Sequence, residues 1–171
     1  FKNELIGVDY LSTEELFGGY DTIKAITFSY ELKFIDKLLE NFANAKVIIG
    51  GAFFTQKDMA MQKLLAAALA DVEIAAKEVG KFEKLLEMMR EQRLDFRVPL
   101  ACIDHRKIYI LSNSENGATR VISSSANMST RAWDGNQMEY YSYDDTRFCF
   151  DEYSQRFDIF YSDCDTLPLD V

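Results

Sequence analysis

The stretch from Thr22 to Gly50 limits the possible folds of this chain more than any other. Thr22 to Tyr30 (TIKAITFSY) is dense in β-branched and aromatic residues, the composition of a strand. Glu31 to Ala43 then sets Leu32, Ile35, Leu38, Leu39 and Phe42 at three- and four-residue spacing, which places them on one face of an amphipathic helix. Lys46 to Gly50 (KVIIG) follows as an apolar strand buried on both faces. This succession predicts adjacent parallel strands joined by a right-handed crossover. The expected class is therefore α/β, with a mixed, largely parallel β-sheet flanked by helices.

Around this unit other elements are legible. Ser12-Thr-Glu-Glu15 reads as a capped helix start with acids in its first turn, ended by Gly18-Gly19; before it, Leu5 to Val8 is short and apolar. Thr55 or Asp58 caps a long helix running through Met59 to Glu78, and a second helix spans Lys81 to Arg93. The Met and Leu stripe there (Met59, Leu64, Leu65, Leu69, Leu85, Leu86, Met88, Met89) is read as core packing or a protomer contact. Leu94 to Leu100 is a strand with Pro99 at its end or at a sheet edge. Three further strand-like runs, Ile103 to Leu111, Thr119 to Ser123 and Gln137 to Tyr143, follow, the first two joined by a hairpin loop at Asn113 to Gly117. Asn127 to Trp133 is expected to form a short helix capped by Gly135. From Thr146 to Tyr161, Phe148, Tyr153, Phe157, Phe160 and Tyr161 recur at helical spacing, which predicts a closing helix packed on the sheet.

With 171 residues, 48% of them hydrophobic, the chain can bury one substantial core, so residues 1–171 are read as one domain. It opens on Phe1 with no charged-then-apolar leader, and we read it as a piece of a longer protein. The longest low-charge run, Met59 to Ala70, is too short to cross a bilayer. Cys102, Cys149 and Cys164 are an odd number at wide spacing, which argues against a disulfide framework and a zinc site and fits core positions in a reducing cytoplasm.

The net charge of −9 disfavours a polyanion as partner until its distribution is read. Residues 144–171 hold eight carboxylates against two arginines, and residues 1–30 carry a net −3. The middle, residues 31–143, is neutral.

That neutral middle holds the only histidine of the chain. On an extended backbone His105 and Lys107 share a face, with Ile108 and Ile110 on the other. Ser124-Ser125-Ala126-Asn127 ends the next strand, and Glu139 sits on the one after. An imidazole beside an ammonium, with an amide and a carboxylate on neighbouring strands, is a set that can hold a phosphate and attack it. Arg106, Arg120 and Arg131 are read equally as phosphate contacts and as solvated charges. Asp104 falls on the opposite strand face, and Trp133 is read as packing or a dimer seam before a base-stacking platform.

His-x-Lys, then Ser-Ser-x-Asn, then a strand Glu resembles the phospholipase D superfamily, whose members carry these motifs on a mixed α/β sheet. The matching positions are His105, Lys107, Ser125, Asn127 and Glu139, within about a quarter of the chain, and the phrase SSSANMSTRAWDGNQMEY is the most specific part. Two positions depart from the pattern: Ser112 stands where an aspartate is usual, and Ser124 where a glycine is. A branch of metal-independent nucleases, including some restriction enzymes and modules fused to helicases, lacks that aspartate.

The resemblance implies that one histidine attacks phosphorus, a second protonates the leaving group, and no metal or other cofactor takes part. It casts His105, Lys107, Asn127 and Glu139 as catalytic and Ser124, Ser125 and Arg131 as substrate-binding, with the amides opening the Met128 to Trp133 turn as further donors. One histidine per chain then requires two copies about a two-fold axis. The expected partners are a second copy and nucleic acid, DNA before RNA, with no membrane and with a helicase or DNA-recognition domain elsewhere in the longer protein. The alternatives are a phospholipase or phosphatidyl transferase, against which the lack of a basic amphipathic helix speaks, and a non-catalytic dimerisation or nucleic-acid-sensing module.

Overall fold

Alternating burial along the strands divides the interior into two cores, one on each face of a seven-stranded sheet. The computed structural model describes residues 11–51, 83–100, 102–133 and 139–166. In chain order they form α1 (Thr13–Phe17), β1 (Thr22–Thr27), α2 (Leu32–Leu38) with a 3-10 turn (Leu39–Asn41), β2 (Asn44–Ile49), α3 (Glu83–Arg90) and β3 (Leu94–Pro99). Then come β4 (Ile108–Ser112), β5 (Thr119–Ser124), α4 (Thr130–Trp133), β6 (Tyr141–Asp144), α5 (Arg147–Ser162) and β7 (Cys164–Thr166). Leu5 to Val8, the expected helix through Met59 to Glu78, and Gly135 lie outside the described residues.

The strand order is β6-β5-β4-β1-β2-β3-β7. The β1-α2-β2 unit is present, with Thr22 to Thr27 in parallel register with Asn44 to Ile49, and β3 continues the parallel centre. The mixed sheet is as expected, with its parallel part confined to this trio. β4, β5 and β6 on one side and β7 on the other run antiparallel to their neighbours.

Ile23, Ala25, Val47, Ile49, Tyr109 and Leu111 face one core, closed by Leu16 and Phe17 of α1, Phe34, Ile35 and Leu38 of α2, Met88 of α3 and Trp133 of α4. Ile26, Ile48, Ile110 and Val121 face the other, covered by Phe157 and Tyr161 of α5. Lys24, on the α5 side of β1, reaches Ser154 and Asp158 of that helix at 2.7 Å each, so a cation at a core-facing position ties the helix down. α1 starts as expected: the Ser12 hydroxyl accepts the Glu15 amide, and the Glu15 carboxylate accepts the Ser12 amide and the Ser12 hydroxyl, two bonds that hold its carboxyl below its usual range.

Several expectations need correction. The strand expected from Ile103 begins at Ile108 and the one expected from Gln137 begins at Tyr141, so His105, Lys107 and Glu139 all precede their strands. The Asp104 amide donates to Gly50 O at 3.0 Å, and its carboxylate takes the Arg106 amide, which holds this segment off the ladder. Phe148 is 78% exposed, because its position on α5 points away from the sheet that buries Phe157. Cys102 is exposed and Cys149 half-buried, so only Cys164 fills a core position, where burial pushes its thiol up to about 11. β7 went unforeseen: three residues are too few for a pattern to register.

Candidate active site

Topology gathers the candidate residues at one edge of the sheet. β1 ends at Thr27, and its antiparallel neighbour β4 starts opposite, with Ile26 paired to Ile108. β5 runs antiparallel to β4 and ends at Ser124; β6 starts beside it, with Ser124 paired to Tyr141. The segments 28–30, 102–107, 125–129 and 139–140 therefore all leave or enter the sheet on the same side. In sheets of this kind, ligands bind where strand ends leave a crevice.

His105 is exposed, and its imidazole lies flat on the ring of Phe28, centroids 4.2 Å apart and planes 11° apart. Two close backbone approaches hold the pair. A Cβ on Gly50 would stand 1.9 Å from Asp104 O, and one on Gly51 would stand 2.3 Å from Phe28 O, so both positions exclude any larger side chain. The Lys107 ammonium donates to His105 O at 2.6 Å and lies 5.4 Å from the centre of the Phe28 ring.

Asn127 meets the same residue from the other side. Its Oδ1 accepts the backbone amides of Phe28 and Ser29, each at 3.1 Å. Two N–H donors at one atom identify it as the carbonyl oxygen and leave the NH2 group as a donor. The loop carrying Asn127 is fixed in turn. The wholly buried Thr27 accepts the Met128 amide at 3.0 Å and donates to Ser29 O at 2.6 Å. Trp133 Nε1 donates to Asn127 O at 2.8 Å. Trp133 is buried against Phe17, Phe34 and Tyr109, which settles it as packing.

A second cluster adjoins the first through Ala126. Glu139, only 8% exposed, accepts the Ser125 hydroxyl, whose oxygen also takes the Tyr140 amide at 2.9 Å. The Ser124 hydroxyl donates to Tyr140 O and accepts the Ala126 amide, both at 2.9 Å. Tyr109 donates to Ala126 O at 2.7 Å; burial drives its phenol above the ordinary range, so it remains a neutral donor. Both serine hydroxyls thus act inside the protein, shaping the loop and orienting Glu139. Arg131 lies exposed on α4.

The other arginines are engaged. Arg106 grips Asp104 through Nε and NH2. Burial alone raises the Asp104 carboxyl, but the Arg106 hydrogen bonds and charge prevail and hold it below its usual value. Arg120 grips Asp145 and donates to the carbonyls of Glu15 and Leu16. The turn amides are also spoken for: Met128 N goes to Thr27, Ser129 N to Asn127 O and Thr130 N to Glu31. Among the described residues no cluster of three or more His, Cys, Asp or Glu could hold a metal, and no helix is long and apolar enough to cross a membrane.

Phe28 and Thr27 escaped the sequence reading. The available signal was position alone, at the carboxyl end of the first parallel strand.

This sheet order has the fold of a protein described as a phospholipase D family member. Two solved structures share it: NucT from Helicobacter pylori (TM-score 0.54, 11% identity, 90% of this chain and 87% of that one) and Nuc, a phospholipase D family member from Salmonella typhimurium (TM-score 0.55, 12% identity, 90% and 86%). No family model matches the chain. It is 32% identical over 124 residues to the uncharacterized protein aq_aa28 of Aquifex aeolicus strain VF5, a match spanning 71% of each, and belongs to one family with it.

Proposed function

We propose that this chain is a metal-independent phosphodiesterase of the nuclease kind, acting on DNA at a site shared by two copies. The observation that carries the reading is the meeting of His105, Lys107 and Asn127 at one sheet edge, all in contact with the single residue Phe28.

A lone pair of the neutral His105 imidazole attacks phosphorus; a P–N bond forms and the P–O bond to the leaving alkoxide breaks. His105 of a second copy, protonated, gives its proton to that alkoxide. Water then attacks phosphorus, returning a proton to the second imidazole, and the P–N electron pair goes back to the first. Lys107 and Asn127 hold the non-bridging oxygens as charge builds on them, and Glu139 supports the cationic imidazole. Both proton movements are carried by histidine, so the scheme has no role for a metal.

DNA suits a site whose substrate is an exposed phosphodiester between two facing subunits, and the names of the two solved neighbours point to nuclease chemistry. The neutral charge of residues 31–143 supports a recognition or helicase domain in a longer protein as the source of polyanion affinity. Three free cysteines support a cytoplasmic setting.

The test is hydrolysis of bis-p-nitrophenyl phosphate and of plasmid DNA in EDTA. Wild type is expected to cleave both and His105→Ala neither; equal cleavage by the two proteins removes the proposal.

A further inference from the structure

Phe28 has no place in the motif pattern, yet three site groups are fixed on it. Its backbone amide anchors Asn127 at 3.1 Å, its ring carries the His105 imidazole face to face, and the Lys107 ammonium sits 5.4 Å from the ring centre. The geometry points to Phe28 as a positioning residue for the nucleophile, an aromatic platform that sets the plane of the His105 imidazole. The inference rests on the reading of His105 as nucleophile.

The chemistry follows from where the imidazole charge develops. The lone pairs of an imidazole nitrogen lie in the ring plane, so a platform under the face fixes the direction of attack and leaves both nitrogens open. As a nitrogen bonds to phosphorus the ring becomes cationic, and a cation over an aromatic face is stabilised by the ring quadrupole. A neutral imidazole gains much less from the same contact. Stacking therefore favours the transition state over the resting enzyme.

The other groups around the imidazole define what the platform must be separated from. Asp104 acts on it electrostatically and is bound by Arg106; Lys107 donates to the His105 carbonyl. All three belong to the histidine's own segment, and the proposed function adds Glu139 from the segment before β6. From the segment after β1 the neighbour is the uncharged Phe28 ring.

The chain has one histidine, so its imidazole protons give a single, unambiguous pair of NMR signals. Phe28→Tyr keeps the aromatic face and Phe28→Leu keeps bulk without it; both retain the amide that holds Asn127. In Phe28→Leu the His105 signals are expected to lose their ring-current shift, and in Phe28→Tyr to keep it. On bis-p-nitrophenyl phosphate, Phe28→Leu should lose kcat by about tenfold with KM held, and Phe28→Tyr should retain it.

Unchanged His105 signals in folded Phe28→Leu overturn the inference. Should that variant not fold, a nuclear Overhauser contact between the His105 and Phe28 rings in wild type decides the matter, its absence counting against the platform. If the ring-current shift is lost as stated while wild type cleaves no phosphodiester, the platform stands and the phosphodiesterase reading falls.

Discussion

The Ser125 hydroxyl donates to the Glu139 carboxylate while its oxygen accepts the Tyr140 amide, so one small side chain fixes both the carboxylate and the chain that follows it. Glu139 is buried at this point, and a buried carboxylate that loses a donor is left poorly satisfied. Ser125→Ala is expected to lower unfolding free energy by about 1.5–3 kcal/mol in urea, the range for a hydrogen bond to a charged group. Stability equal to wild type would mean that Glu139 does not depend on this hydroxyl.

Asn127 separates structure from chemistry. In Asn127→Asp one carboxylate oxygen still accepts the Phe28 and Ser29 amides, so the melting temperature should hold. The other oxygen replaces the NH2 group with negative charge. Phosphodiester hydrolysis should fall by about 10²–10³-fold, the usual cost of removing one positioned donor. Retained activity would exclude Asn127 from phosphate binding.

Gly50 has backbone where a side chain would go, with Asp104 O only 1.9 Å from an added Cβ. Gly50→Ala must displace the segment that carries His105. It should cost about 1–3 kcal/mol of stability, as overpacking does, and the His105 signals should shift in the NMR spectrum. A variant as stable as wild type, with His105 unmoved, would contradict this.

Asp104 sets a pH dependence of stability. Its folded carboxyl titrates below the ordinary value of 3.8, so the stabilisation is present above that value and is lost as pH falls through the lower, folded one. Asp104→Asn should therefore be less stable than wild type at pH 7, with the gap closing on acidification below pH 3.8. Denaturant midpoints at a series of pH values give the comparison, and a gap that widens toward acid would refute it.

The proposed sharing of a site between two copies makes a quantitative demand. If each centre needs His105 from two copies, activity in mixtures with inactive His105→Ala chains falls as the square of the wild-type fraction. Mixtures refolded together and assayed for hydrolysis distinguish this from a straight line, which would mean independent sites.

The residues of the candidate site were readable because their chemical types are unusual in combination, one imidazole beside a lysine and an Asn turn. The places where strands begin were not. Ile103 to Leu111 alternates in sequence, yet β4 starts only at Ile108, because the Asp104 amide bonds Gly50 and its carboxylate bonds Arg106. Alternation reports an extended chain and says nothing of whether its amides find a ladder or an anchor. The Ser124 and Ser125 hydroxyls likewise look outward in a motif but bond inward in space. Phe28 was invisible for a plainer reason, that one aromatic at a strand end carries no local sign of the ring it will meet.

Ile26 pairs with Ile108, and the edge where Phe28 meets His105 lies just past that pairing. The contacts made by Phe28 exist in neither half of the polypeptide alone. During synthesis the flank of the first strand waits bare until the fourth emerges to zip against it, and only then does the imidazole acquire its seat. A single cut between those two strands puts the two stacked rings, Phe28 and His105, on separate pieces.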